Sequence, residues 1–207
     1  MLYYLRWFLS LFFVGRKFAI SSAYYHRKRA GNFDDTANRD EWQKEVYEHA
    51  ARLFKKHDLD NVLDIGCGSA YKLRKYFAGK PYTGVEVEPT LSWLRKQYPG
   101  ERWLASEELK PGAYDLIICS DVIEHVPDPA EFLESLAMLN FKFLLLSTPD
   151  RGLIKNKYNY LGPPLNPAHY REWNFSEFHN FVSAYFSIEE HFISNQQQAT
   201  QVVVCGK

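Results

Sequence analysis

Past residue 34, apolar positions along this chain switch between two rhythms. A helical spacing comes first, with Trp42, Val46, Tyr47, Ala50 and Phe54 recurring on one face of "NRDEWQKEVYEHAARLFKKH". Asp60-Asn61 is a turn signal, and the unbroken apolar run from Val62 to Ile65 then reads as a buried strand. Alternation follows: a helix over about 69–78, a strand over 82–87, a helix over about 89–97 and a short strand at 102–104. A strand over 115–119, a helix over about 129–139 and the apolar strand 141–147 come next. After an irregular stretch, 148–173, the pattern predicts a helix from about Ser176, a strand over 186–193 and a last strand "TQVVVCG", with Gln196 to Gln198 as the hairpin loop. Such alternation predicts an α/β fold: a doubly wound, seven-stranded, mostly parallel sheet with helices on both faces.

Length and charge narrow the picture. At 207 residues the chain holds one domain with a substantial core rather than two ordinary ones. Basic and acidic residues balance at 25 each, which gives no overall field toward nucleic acid. Their distribution is uneven. Residues 1–33 hold Arg6, Arg16, Lys17, Arg27, Lys28 and Arg29 with no acid, and 10 of the 34 aromatics. The reading is therefore a basic, aromatic, helical extension over 1–33 and a main domain over 34–207. Only nine uncharged residues separate Arg6 from Arg16, short of a membrane span, and most cations follow the apolar run, unlike a signal peptide. Two readings of the extension stand: a helix lying in a bilayer interface, or a helix packed on its own domain or a second subunit. Cys67, Cys119 and Cys205 lack zinc-type spacing and read as reduced thiols of a cytoplasmic protein.

The chemistry concentrates first in "VLDIGCGSAY", residues 62–71. A dinucleotide turn needs a third glycine where Tyr71 stands, and Asp64 at the strand end repels a diphosphate but attracts a cationic ligand. Asp64, Gly66, Cys67 and Gly68 thereby resemble the first motif, D-x-G-x-G-x-G, of class I S-adenosylmethionine-dependent methyltransferases. Ala70 replaces the last glycine, which a negative φ there accommodates. The resemblance implies a Rossmann-like sheet with an antiparallel last strand and S-adenosylmethionine as cofactor. Glu86, 20 residues after Gly66, is placed to accept both ribose hydroxyls, with Val87 beside it and Glu88 as the fallback; this also suits NAD and does not choose between nucleosides.

"YDLIICSDVIEHVPDP", 114–129, resembles ubiquinone-biosynthesis and related small-molecule O-methyltransferases. That resemblance implies contacts from Asp121 and Val122 to the methionine end of the cofactor. His125 reads either as a general base or as a structural histidine held by Pro127. Ala105 stands where the family often has an adenine-binding aspartate, which leaves Ser106 or Glu107 for that task. The acceptor region is the irregular 148–173. In it Arg151 and Arg171 are candidates to clamp an anionic group, Tyr170 and Trp173 to stack on a ring or sugar, and His169 to accept a proton. Packed core is the competing reading for each aromatic. "STPDR", "GPP" and "HYREW" resemble methyltransferases of cell-surface glycan and lipid-linked precursor pathways. The expectation is methylation of a small-molecule or lipid-linked glycan acceptor at the inner membrane face, without metal or nucleic acid. A non-catalytic cofactor-binding subunit and an NAD-dependent reductase are the rival readings.

Overall fold

The computed structural model describes residues 17–31, 34–154 and 160–206. Seven strands form one sheet: β1 (Val62–Ile65), β2 (Tyr82–Val85), β3 (Trp103–Leu104), β4 (Ala113–Ser120), β5 (Asn140–Pro149), β6 (Ser187–Asn195) and β7 (Thr200–Gly206). Their order is β3-β2-β1-β4-β5-β7-β6. All neighbours are parallel except β7, which slots antiparallel between β5 and β6. The seven strands, the parallel majority and the antiparallel last strand are as the alternation and the family resemblance predict.

Among the described residues five α-helices cover the sheet: α1 (Lys44–Lys56), α2 (Tyr71–Tyr76), α3 (Thr90–Gln97), α4 (Pro129–Ala137) and α5 (Phe175–Val182). The central strands bury both faces, which is why they read as unbroken apolar runs. Val62, Leu116, Ile118, Leu145, Val202 and Val204 pack with α1, α2 and α3. Leu63, Ile117, Cys119, Leu144, Leu146 and Val203 pack on the other face with α4 and α5. The three cysteines are free and buried.

Local chemistry sets the element ends. Asp128 caps α4 through bonds from the Ala130 and Glu131 amides, with Pro129 at the first helical position. Asn174 and Glu177 form a reciprocal capping box on α5. Helix α1 starts later than the periodicity predicts. Gln43 takes a left-handed φ of 59°, so Trp42 lies outside the helix and is exposed.

Of the basic aromatic extension expected to be helical over 1–33, residues 1–16 and 32–33 lie outside the described residues, and 17–31 hold no helix beyond one 3₁₀ turn, a correction for that part. That part packs on its own domain. After a 3₁₀ turn over Lys17–Ala19, Phe18, Ile20 and Tyr24 enter the core beside Trp173 and Phe181. Backbone amides of Tyr25, Arg27 and Gly31 then donate to carbonyls of Leu161, Tyr170 and Pro167 at 2.7, 2.8 and 3.0 Å.

Candidate active site

Order in the sheet reverses between β1 and β4, and at such a switch point a crevice opens beyond the carboxyl ends of the strands. A cleft of about 410 Å³ lies there, within the range of small-molecule sites. Its floor is the turn after β1. Gly66 has φ 74°, and a Cβ built on it would come within 2.4 Å of Val122 Cγ2; one on Gly68, at φ 54°, would press on Asp35 at 3.0 Å. The two glycines keep the backbone bare and close to whatever fills the cleft. Ala70 corrects the expectation of a negative φ: it is left-handed at 55°, with its methyl fully buried. Gly66→Ala is expected to lower the unfolding free energy by about 2 kcal/mol, through the left-handed conformation and the contact with Val122. Urea denaturation checks it.

Sequence placed Glu86 at the end of β2, and the structure puts it one residue beyond, facing the cleft. Its Oε2 accepts from the Gly68 amide at 2.8 Å and its Oε1 from the Val87 amide at 2.9 Å. Burial pushes its carboxyl pKa up, against those two bonds. Val87 and Ser106 line the same cleft. Glu88 does not: it accepts from the Ser92 amide in the first turn of α3 and lines a neighbouring depression with Ala105 and Glu107.

Cys67, Asp121 and Val122 also line the cleft, whereas Asp64 lies behind it. Fully buried, Asp64 accepts from the Tyr47 hydroxyl at 2.8 Å, and its other oxygen has no hydrogen-bond partner among the described residues. Tyr47 therefore stands between Asp64 and the cleft it lines. Burial raises the Asp64 pKa to about 7, with the Tyr47 bond and Lys72 opposing. Asp121, at φ 53°, accepts from Ser147 Oγ at 2.6 Å and Gln43 Nε2 at 3.1 Å. Sequence reading missed Asp35, Asn38, Gln43, Tyr47 and Lys72, all of which line the cleft. No motif marks them, because most precede β1 and reach the site only through the chain's return across it.

The Asp64 carboxyl binds its proton more tightly folded than unfolded, so stability falls as pH rises from about 4 to about 7 and then levels. Between pH 5 and pH 7 the wild type is expected to lose about 2 kcal/mol relative to Asp64→Asn. Urea midpoints of the two proteins across that range check it.

His125 lines the cleft and His169 does not. The His125 Nδ1 lies 3.0 Å from the Ala168 carbonyl, and its ring meets His169 edge-on with centroids 4.7 Å apart. Burial, reinforced by His169, lowers the His125 pKa to about 4. His169 is buried, with Nδ1 on Glu172 Oε1 at 2.7 Å and Nε2 on Asn166 at 2.9 Å. That placement speaks against its reading as a proton acceptor: both ring nitrogens are engaged, and His169 is not among the residues that line the cleft. Glu124, His125 and His169 each bring a ligand-capable atom within 4.8 Å of the others. A cation there would have to displace His169 from Glu172 or Asn166.

Three expected acceptor contacts are core instead. Arg151 is buried, in a two-pronged ion pair with Glu177, and it donates to the Tyr160 and Glu172 carbonyls at 2.9 Å. Arg171 is buried against the Phe18 ring and donates to the Val126 and Pro127 carbonyls at 2.8 and 2.6 Å. Burial lowers its pKa to about 10. Trp173 is fully buried, stacked on Phe181, with Nε1 donating to the Phe18 carbonyl at 2.9 Å. Each arginine satisfies backbone carbonyls that an irregular loop cannot pair internally. Of the four candidates only Tyr170 faces the cleft, together with Val126, Phe132 and Ala168.

Comparison with known proteins points to methyltransferases. Residues 36–191 match the family model described as methyltransferase domain. Ubiquinone biosynthesis O-methyltransferase of Sodalis glossinidius is 32% identical over 105 residues, covering 45% of this chain and 41% of that protein. The chain thus matches about two fifths of that relative's length. Among solved structures, small RNA methyltransferase HEN1 superposes with a TM-score of 0.63 at 20% identity, over 88% of this chain and 27% of that one. Magnesium protoporphyrin IX methyltransferase from Synechocystis, solved with bound S-adenosylhomocysteine, gives 0.62 at 16% identity, over 80% and 83% of the two chains. These likenesses show a shared fold. With a family model running through residues 36–191 and the glycine turn, Glu86 and the cleft in their expected places, the chain belongs to the methyltransferase domain family, among the class I S-adenosylmethionine-dependent methyltransferases.

Proposed function

We propose that this chain transfers the methyl group of S-adenosylmethionine to an oxygen of a small molecule. The observation that carries the reading is the Glu86 carboxylate facing the cleft above the bare Gly66–Gly68 turn. Each Glu86 oxygen accepts one backbone amide and keeps acceptor capacity for a ribose hydroxyl. Asp35 and Asp121 line the wall and suit a cationic ligand. Bound there, S-adenosylmethionine supplies a methyl group on a positively charged sulfur, already activated for displacement.

The chain's own work is then to hold the acceptor oxygen in line with that methyl, at about 3–3.5 Å, and to exclude water. Tyr170, Phe132, Val126 and Val122 give this end of the cleft an apolar wall suited to both tasks. His125 is the candidate proton acceptor. Its Nδ1–H donates to the Ala168 carbonyl, so Nε2 is the nitrogen that accepts, and its lowered pKa keeps the ring neutral at pH 7. An oxygen acceptor is supported by the named relative, a ubiquinone biosynthesis O-methyltransferase.

Calorimetric titration with S-adenosylhomocysteine tests the cofactor, and methyl release over a panel of quinol and glycan acceptors tests the reaction. Absence of heat with S-adenosylhomocysteine ends the proposal. The finer reading, a lipid-linked acceptor at the inner face of the membrane, is supported by Arg6, Arg16 and the six aromatics of residues 1–16. Sedimentation with anionic liposomes, with and without residues 1–16, tests it. Equal recovery of both proteins in the supernatant removes the membrane from the account.

A further inference from the structure

We infer that the segment ending at Gly31 walls the acceptor end of the cleft and that Gly31 sets how large a group fits there, an inference that rests on the cofactor reading above. Residues 27–31 precede the span, 36–191, that the family model matches. Even so, Ala30 and Gly31 line the cleft. The Gly31 amide donates to the Pro167 carbonyl at 3.0 Å, and the residues after Pro167 supply Ala168 and Tyr170 to the same cleft. Gly31 therefore stands beside the apolar residues proposed to face the acceptor.

The segment is tied in place. Residues 160–170 hold Pro163, Pro164 and Pro167, which offer carbonyls without N–H groups, so this loop needs donors from outside it. Arg27 brings three: its amide donates to the Tyr170 carbonyl at 2.8 Å, its Nη2 to that of Pro164 at 2.7 Å and its Nε to that of His169 at 3.3 Å. Segment and loop thereby form one wall.

The backbone gives no reason for a glycine at 31. Its φ is not positive, and a Cβ built on it would meet only the Pro167 carbonyl oxygen among the described residues, at 3.8 Å, an ordinary contact. Alanine fits there without strain. A longer side chain narrows the cleft at the end where acceptor and methyl must meet in line. The missing side chain is room for the acceptor.

The test uses two stable analogues of the methyl donor in which nitrogen replaces the sulfur, one bearing a methyl group and the other a benzyl group where the transferable methyl stands. They differ only in what projects toward the acceptor. Calorimetry on wild type is expected to find both bound, within about tenfold of each other. In Gly31→Leu the N-methyl analogue stays within about twofold, while the N-benzyl analogue weakens about 10- to 100-fold, the range of an overpacked contact. Gly31→Ala leaves both within about twofold of wild type. Equal weakening of both analogues in Gly31→Leu, weakening of neither, or a wild type that disfavours the benzyl group by more than about tenfold overturns the inference. Should Gly31→Leu not fold, Ala30→Leu decides by the same comparison. Wild type that binds neither the N-methyl analogue nor S-adenosylhomocysteine instead defeats the cofactor reading itself.

Discussion

Glu86→Gln is expected to weaken S-adenosylhomocysteine binding about 100-fold, with little loss of fold. The carboxylate accepts two backbone amides, Gly68 and Val87, with two different oxygens. Glutamine has one acceptor oxygen, so its amide nitrogen would face one of those N–H groups, donor against donor. The side chain would turn away, and both ribose hydroxyls would lose a charged acceptor. Two such bonds, partly replaced by water, amount to about 3 kcal/mol, which is roughly 100-fold in affinity. Fold is spared because Glu86 lies beyond the end of β2 and outside its paired register. Calorimetry measures the affinity and a thermal melt the stability; a change in affinity under about threefold removes Glu86 from the nucleoside site.

Arg151→Leu is expected to act on stability and not on the cleft. The guanidinium shares a buried two-pronged contact with Glu177, and both side chains are nearly fully enclosed. Removing the cation leaves Glu177 buried without its partner and strands the Tyr160 and Glu172 carbonyls. Breaking a buried pair in this way costs about 3–5 kcal/mol. For a domain of this size the melting temperature falls by roughly 10 °C. Affinity of the folded fraction for S-adenosylhomocysteine stays within about twofold. A variant with unchanged Tm and a weakened acceptor KM would return Arg151 to the role of substrate clamp.

Arg151 also shows where sequence reading stops. In "STPDR" it is a lone cation in an irregular, aromatic stretch, and nothing local tells an exposed clamp from a buried strut. Its partner lies 26 residues on, at the third position of a helix whose capping box it also completes. Arg171 and Trp173 were hidden for a like reason. Their neighbours include Phe18, more than 150 residues away, delivered by an N-terminal segment whose letters read as an extension apart from the main domain. His169 faces a glutamate three residues on and an asparagine three residues back, yet only the packed loop shows that these, not the cleft, hold it.

By itself the sequence determined what depends on neighbours along the chain: the alternation of strand and helix, the last strand to the residue, the glycine turn, and Glu86 at the end of the next strand. Side-chain periodicity and turn chemistry are short-range, so they are written in consecutive letters. Tertiary structure alone decided which charges face the cleft. It put Tyr47 between Asp64 and the ligand space, brought Lys72, Asp35 and Gln43 to the wall, and withdrew Arg151, Arg171 and Trp173 into the core. Burial of a charged group is set by partners distant in sequence and near in space, and pairing of that kind leaves no period in the letters.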